Sequence, residues 1–214
     1  NNGGSTNNGT SDKSDTTIDR IYVEGPLFGA TADLGKLHAY ADNTFGSGMI
    51  MDDSISGAQF NWKLGKAKNA YVIANVGRYD YNKTANITSA YNGTGDYRSV
   101  EFGYAPKKGL SFLAGYYSFA NIDGSTFASG WNKAKIEKSG TDKDNIWSAG
   151  LGYKFSDKLN LYGVYAKSNI DASKTYKGDS QNKAYDMTLT YGTADLKKAG
   201  TWDLYAAYRY LGAF

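Results

Sequence analysis

The chain of 214 residues contains no cysteine, a single histidine and only two prolines. Without cysteine it can form neither disulfides nor thiolate metal sites, which is compatible with a secreted bacterial protein. No apolar run approaches the ~18 residues that a membrane-spanning helix needs. The net charge is +3 with both signs interspersed. Because no clustered basic face appears, we expect no nucleic-acid partner.

The scarcity of histidine also limits catalytic chemistry. His38 is the only histidine, so a Ser-His nucleophilic site would have to use it, and no Gly-x-Ser-x-Gly elbow occurs. The segment 141–145 lacks the glycine and terminal glutamate of a calcium loop, and Gly46 and Gly48 are not followed by a Lys-Ser/Thr pair. The sequence does not exclude a pair of carboxylates for glycoside hydrolysis, because the distance between the two carboxyl groups depends on the fold. The sequence predicts no enzyme, no metal and no cofactor.

What the chain does contain is 19 tyrosines and 26 glycines. Tyrosine suits β-strands, and it suits a membrane interface, where the ring is buried and the hydroxyl stays wet. The mean hydropathy of −0.55 is low, but in a transmembrane barrel only alternate residues face lipid. Apolar and polar residues do alternate along the chain, and the pattern predicts ten strands: about 18–31, 34–41, 55–63, 68–80, 96–106, 110–120, 144–155, 159–169, 183–194 and 201–212.

The alternation within these segments has a period of two. In 145–155 the odd positions from Trp147 onwards are apolar or aromatic, and in 184–192 Tyr185, Met187 and Leu189 oppose Asp186 and Thr188. Period-two alternation places each set on one face of a sheet. A two-sheet sandwich would show the same alternation. The segments 68–80 and 110–120 are apolar at odd and even positions alike, so the sequence does not predict which side chains face which side of the sheet.

The connections between the predicted strands alternate between short and long. Short ones lie at 107–109, 156–158 and 197–200, and long polar ones at 121–143 and 171–182. Tight periplasmic turns and long external loops are typical of outer-membrane β-barrels. We therefore predict an all-β fold, an antiparallel transmembrane β-barrel over 18–214, preceded by a disordered external loop or linker at 1–17.

The same alternation predicts where the chain enters and leaves the barrel. If the short turns are periplasmic, residues 1–17 and the end of the last strand are both external. A complete barrel of this type has both ends in the periplasm. We therefore expect a segment that is incomplete at both ends. Alternatively, Phe214 is a terminal aromatic residue of the kind that ends outer-membrane barrels, which would need the short-turn side to be reversed.

Residues 20–65 resemble the porin-type barrel of the OmpM-like outer-membrane proteins of diderm Firmicutes. The matching pieces are a strand ending near Gly25-Pro26 and Phe28-Gly29, a tight turn at Leu34-Gly35-Lys36, and a Gly-rich segment leading to Met51-Asp52-Asp53. The pieces at 75–79 and 202–211 fit the same family. The resemblance implies a homotrimeric porin of about sixteen strands that also tethers the outer membrane to the cell wall. This chain lacks the S-layer-homology segment, so contact with the wall would need a segment absent from it.

Function would then reside in the residues that face the lumen. Charged side chains that line a wet channel set its ion selectivity, and they are costly on the lipid face. The alternative is a sandwich whose polar face meets solvent. By parity we assign as pore-lining Lys36, His38, Gln59, Asn61, Lys63, Ser99, Glu101, Lys154, Asp186, Asp203 and Arg209.

Residues 42–54 form a candidate constriction loop. In porins an external loop folds into the barrel and narrows it, often bringing carboxylates, and Asp52 and Asp53 would provide them here. The alternative is an ordinary exposed loop with a solvated acidic pair. The sequence thus predicts an outer-membrane porin for passive diffusion of ions and small hydrophilic solutes, with outer-membrane lipid as its surroundings. The alternatives are a closed barrel that acts as a tether, and a secreted soluble all-β adhesin or binding module.

Overall fold

In the computed structural model the described residues are 20–80, 94–121, 143–170, 178–195 and 197–212. They form one antiparallel sheet of ten strands in which spatial order follows chain order. The all-β prediction and the number of ten strands are confirmed, whereas the first predicted strand, 18–31, is wrong because it runs through a turn into the second strand. The strands are β1 (Ile21–Leu27), β2 (Ala30–Tyr40), β3 (Asp52–Leu64), β4 (Ala70–Asp80), β5 (Thr94–Tyr104), β6 (Gly109–Ala120), β7 (Lys143–Lys154), β8 (Leu159–Ser168), β9 (Lys183–Gly192) and β10 (Asp203–Leu211).

The sheet is open at both edges within the described residues. β1 is hydrogen-bonded only to β2, and β10 only to β9. A closed barrel therefore stays a prediction. In the part of the chain that is described, no helix has the length and apolar character needed to cross a bilayer. The linker predicted at 1–17 and the terminal Phe214 lie outside the described residues.

The first hairpin differs from the prediction. β1 and β2 are joined at Phe28 and Gly29, which both have positive φ angles, 52° and 76°, as the two central residues of a type I′ hairpin turn require. The tight turn predicted at Leu34-Gly35-Lys36 is wrong, because all three residues are paired within β2. Gly35 is needed there for another reason: a Cβ atom would overlap the backbone of Ile21 in β1.

The register is continuous across the whole sheet, which fixes two faces. Directly paired residues of neighbouring strands lie on the same side, so the side that carries Glu101 can be followed from strand to strand. We call it the inner face and the opposite side the outer face. Among the residues of the inner face are Leu37, Gln59, Asn61, Lys63, Tyr71, Asn75, Ser99, Glu101, Ser111, Tyr117, Lys154, Tyr162, Asp186, Thr188, Asp203 and Arg209.

The core lies on the inner face. Its main cluster joins strand residues such as Leu37, Ile55 and Tyr97 to Ala41 and Met51. A smaller cluster of Leu113, Tyr162 and Val164 packs against Phe45 and Met49. The connection between β2 and β3, residues 41–51, thus lies over the inner face, and we call it the inner segment. Its position determines the geometry of the candidate site.

Candidate functional site

The inner segment is attached to the sheet through Glu101 in the middle of β5. This carboxylate is 2% exposed. It accepts hydrogen bonds from the backbone amides of Asp42 and Asn43 at 2.7 and 2.8 Å. It also accepts from the hydroxyls of Tyr71 and Tyr117, at 2.7 and 2.8 Å. All four partners are donors, which suits a carboxylate because it only accepts. Glu101 therefore joins three strands of the sheet to the start of the inner segment.

The next two residues of the inner segment extend this attachment across the sheet. The Thr44 hydroxyl lies 2.7 Å from the Tyr71 hydroxyl. The ring of Phe45 stacks on that of Tyr162 in β8, with centroids 5.1 Å apart. Phe45 lies over Gly150 and Gly152 of β7, where a Cβ atom would press into its ring. Paired glycines in β7 thus leave the space that the aromatic ring occupies.

Asp42 holds the inner segment in its own conformation. Its buried carboxylate accepts hydrogen bonds from the backbone amides of Phe45 at 2.9 Å and Ser47 at 3.0 Å. Burial raises the pKa of Asp42, and the nearby charge of Glu101 raises it further, while the bonds from Ser47 and Phe45 oppose the change. Two carboxyl groups, one in the strand and one in the segment, therefore define the site.

The inner face away from the segment is polar and not fully hydrogen-bonded within the protein. Among the described residues, buried polar atoms of the inner face without a protein partner belong to Asp33, Asn61, Ser111, Ser148 and Asn160. Buried polar groups are normally paired with protein or with ordered water. The inner face is therefore suited to contact with water rather than to a dry core.

A pair of opposite charges lies on β9 and β10. The Asp186 carboxylate is buried and accepts from the Nε of Arg209 at 2.7 Å, as well as from Nη2. Thr188 also donates to Asp186. The Arg209 side chain remains partly exposed, 44%, and borders a recess of about 530 Å³ that is also lined by Thr190 and Tyr205. This recess places charge and hydroxyl groups at an accessible surface of the inner face.

Most predicted pore-lining residues share the inner face, and two do not. Gln59, Asn61, Lys63, Ser99, Glu101, Lys154, Asp186, Asp203 and Arg209 lie on it. Lys36 and His38 alternate with Leu37 and Ala39, which are buried in the inner-face cluster. The expectation of one shared face is therefore wrong for these two, and pore lining by the others stays a prediction.

The predicted acidic pair of the constriction loop is also displaced. Asp52 and Asp53 are the first residues of β3 and not part of the connection. Asp52 is exposed and lies 2.8 Å from the Nε2 of His38. The segment that lies over the inner face is residues 41–51, and the carboxyl group that it brings is that of Asp42.

The outer face has the opposite character. Large apolar and aromatic side chains remain exposed along it, including Val76, Val100, Trp147, Leu151, Tyr165, Leu189, Tyr191, Leu204 and Tyr208. Aromatic residues lie towards both ends of the strands, for example the Tyr116–Trp147 pair near one end and the Tyr191–Trp202 pair near the other. Soluble proteins rarely expose contiguous apolar surface of this kind, so the outer face is suited to contact with an apolar partner.

Sequence reasoning missed several residues of the site: Asp42, Thr44, Tyr71 and Tyr117. Tyr71 and Tyr117 lie on strands that are apolar at odd and even positions alike, so alternation did not predict which face they are on. A signal was nevertheless present, because Gly103 is paired with Tyr71, and a Cβ atom there would overlap the tyrosine ring. A glycine paired with a tyrosine on the neighbouring strand thus indicates that the tyrosine ring lies across the glycine, on the face that both residues share.

Comparison with known proteins does not assign this chain to a family. No protein-family model matches the sequence, and no curated protein matches it. Among the described residues, no group of three or more histidine or acidic side chains could hold a metal ion.

Proposed function

We propose that this chain forms the wall of an outer-membrane porin, a β-barrel that lets ions and small hydrophilic solutes diffuse passively. The observation that carries the proposal is the contrast between the two faces of one continuous sheet. The outer face exposes apolar side chains bordered by aromatic pairs, as a surface in contact with lipid does. The inner face is polar and carries charges of both signs.

The strand lengths support a transmembrane arrangement. β4 to β10 have between 9 and 12 residues, and a tilted strand of about 9–11 residues crosses a bilayer. In lipid every backbone group must be paired, so the free edges of β1 and β10 would have to pair as well. We propose that further strands complete the barrel there, in a trimer of the kind that the resemblance to OmpM-like porins implies.

The inner segment would narrow the channel. It contacts β4, β5 and β8 at Tyr71, Glu101 and Tyr162, so solutes would pass between it and the charges on β9 and β10. Because Lys63, Lys154 and Arg209 stand on the same face as Asp186 and Asp203, we expect weak selectivity between cations and anions.

A second candidate function is a closed barrel that acts as a structural tether. The apolar packing of the inner segment on the inner face favours it, because Leu37, Tyr97 and Met51 fill the interior at that level. A soluble all-β binding module is the third. It would have to keep the apolar outer face covered in another way, so a protein that stays monodisperse without detergent would favour it.

Planar-bilayer conductance of the detergent-extracted protein tests the proposal. We expect discrete steps for the wild type and larger steps for Glu101→Gln, because a primary amide cannot accept hydrogen bonds at both atoms and the inner segment loses its attachment. The matched control is Ser99→Ala, on the same strand and face, where the Ser99 hydroxyl accepts a hydrogen bond from the Asn75 side chain rather than from the segment. Its steps should equal those of the wild type.

Two results would count against this function. A silent bilayer, with insertion demonstrated, would favour the closed tether. Steps of equal size in the wild type and in Glu101→Gln would show that the inner segment does not narrow the channel.

A further inference from the structure

The connections at one end of the sheet carry a concentration of positive charge. The turns β3–β4, β5–β6, β7–β8 and β9–β10 all lie at this end, because the strands alternate in direction. Their lysines are all exposed. We call this set the basic rim: Lys66, Lys68, Lys107, Lys108, Lys158 and Lys197.

These lysines are not neutralised within the part of the chain that is described. None of them has a carboxylate at ion-pair distance there; the ion pair found at this end is that of Lys198 with Asp195, at 3.9 Å. The other acidic group in these turns is Asp157. A surface of unneutralised lysines attracts an anionic partner, and the attraction is screened by salt.

The opposite end of the sheet is mixed in charge. Its described residues include the pair of Arg78 with Asp96 at 3.3 Å and the exposed Lys167 and Lys183. Asp52 lies there as well, beside His38. Among the described residues the basic character is therefore found at one end of the sheet, and the net charge of the protein is only +3.

Aromatic side chains of the outer face lie directly beside the basic rim. Trp202 is 61% exposed and packs against Tyr191, with centroids 5.9 Å apart. Tyr153 and Phe155 form a second exposed pair, at 4.9 Å, just before the turn that contains Lys158. Aromatic rings of this kind sit at the level of lipid headgroups. The rim lysines, one or a few residues beyond them, then reach the phosphates.

We propose that the basic rim binds the phosphate headgroups of anionic phospholipids in the leaflet at the short-turn end. The inference rests on the proposed function, since it needs the outer face to be in lipid. It goes further in naming the lipid class that the rim selects and the residues that select it. One basic residue near an anionic surface contributes about a fivefold preference.

The test measures quenching of tryptophan fluorescence by brominated lipid in protein-containing vesicles. Brominated phosphatidylglycerol and brominated phosphatidylcholine are compared in the wild type, in K107Q/K108Q and in the control K167Q/K183Q at the other end. We expect the wild type and the control to favour phosphatidylglycerol about fivefold. The preference should fall measurably in K107Q/K108Q, which lacks two of the six rim lysines, and it should approach one in about 1 M salt, where the screening length is short.

The possible failures are distinguishable. Equal quenching by both lipids in the wild type would overturn the inference and leave the porin proposal standing; if soluble polyglutamate then bound through the same lysines, the rim would serve a soluble polyanion. A preference lost in the control but kept in K107Q/K108Q would place lipid selection at the other end and also overturn it. Quenching by neither lipid would show that the outer face is not in lipid, and both proposals would fail.

Discussion

The two faces of the sheet use the same residue type, tyrosine, in opposite ways. On the inner face Tyr71 and Tyr117 are buried and donate their hydroxyls to Glu101. On the outer face Tyr191 and Tyr208 are exposed and pack against other aromatic rings. Composition alone therefore indicates little about what a tyrosine does here. Its parity along the strand decides whether it serves a polar site or an apolar surface.

The contrast is most sharply tested at the middle of β9. Leu189 lies on the outer face, 43% exposed, and Thr190 lies on the inner face beside the recess. In vesicles we expect Leu189→Arg to lower the free energy of unfolding by about 2–4 kcal/mol, as a charge near the bilayer midplane does. Thr190→Arg, facing the polar side, should lower it far less. Denaturant titration followed by tryptophan fluorescence measures both, and similar losses would mean that the outer face does not contact lipid.

A smaller effect is expected when one positive charge is removed from each face. Arg209→Gln acts on the inner face and keeps a donor for Asp186, while Arg98→Gln acts on the exposed outer face. Because selectivity depends on charges that line the channel, Arg209→Gln should shift the permeability ratio roughly twofold towards cations. Arg98→Gln should leave it unchanged. Reversal potentials under a salt gradient give the ratio, and equal shifts in both variants would contradict the assignment of the inner face to the channel.

The smallest effect concerns pH and the inner segment. Burial raises the pKa of Asp42 above its ordinary value of 3.8. Between the two pKa values the folded state binds more protons than the unfolded state, so stability decreases as pH rises through this window. On lowering the pH from neutral we expect greater protection of the Phe45 and Ser47 amides from hydrogen exchange, after correction for the intrinsic rate. Asp42→Asn should abolish this dependence; a wild-type profile that matches the variant's would refute it.

Much of the fold was predictable because apolar residues occupy alternate positions over long parts of many strands. Alternation placed strands such as 145–155 and 184–192, and parity along the individual strands was enough to assign Glu101, Asp186 and Arg209 to one face. The prediction failed for Lys36 and His38 because it equated polar with inner. Next to the inner segment the inner face is apolar, with Leu37 and Ala39 packed in the cluster, so the polar residues of β2 point the other way.

The attachment of the inner segment could not be predicted from the sequence. Asp42 and Glu101 are 59 residues apart in the chain. The position of the segment depends on the space over Gly150 and Gly152, which no local pattern encodes. Alternation predicts on which face a residue stands, but not which connection will cover it.

The position of the inner segment also has a consequence for the order of folding. Every strand pairs with its neighbour in sequence, so the sheet can grow hairpin by hairpin. The segment itself is synthesised between β2 and β3, yet its partners lie on β5 and β8. It cannot dock until those later strands are in place. Docking is therefore a late event in assembly, and the channel would be widest while the wall is still being built.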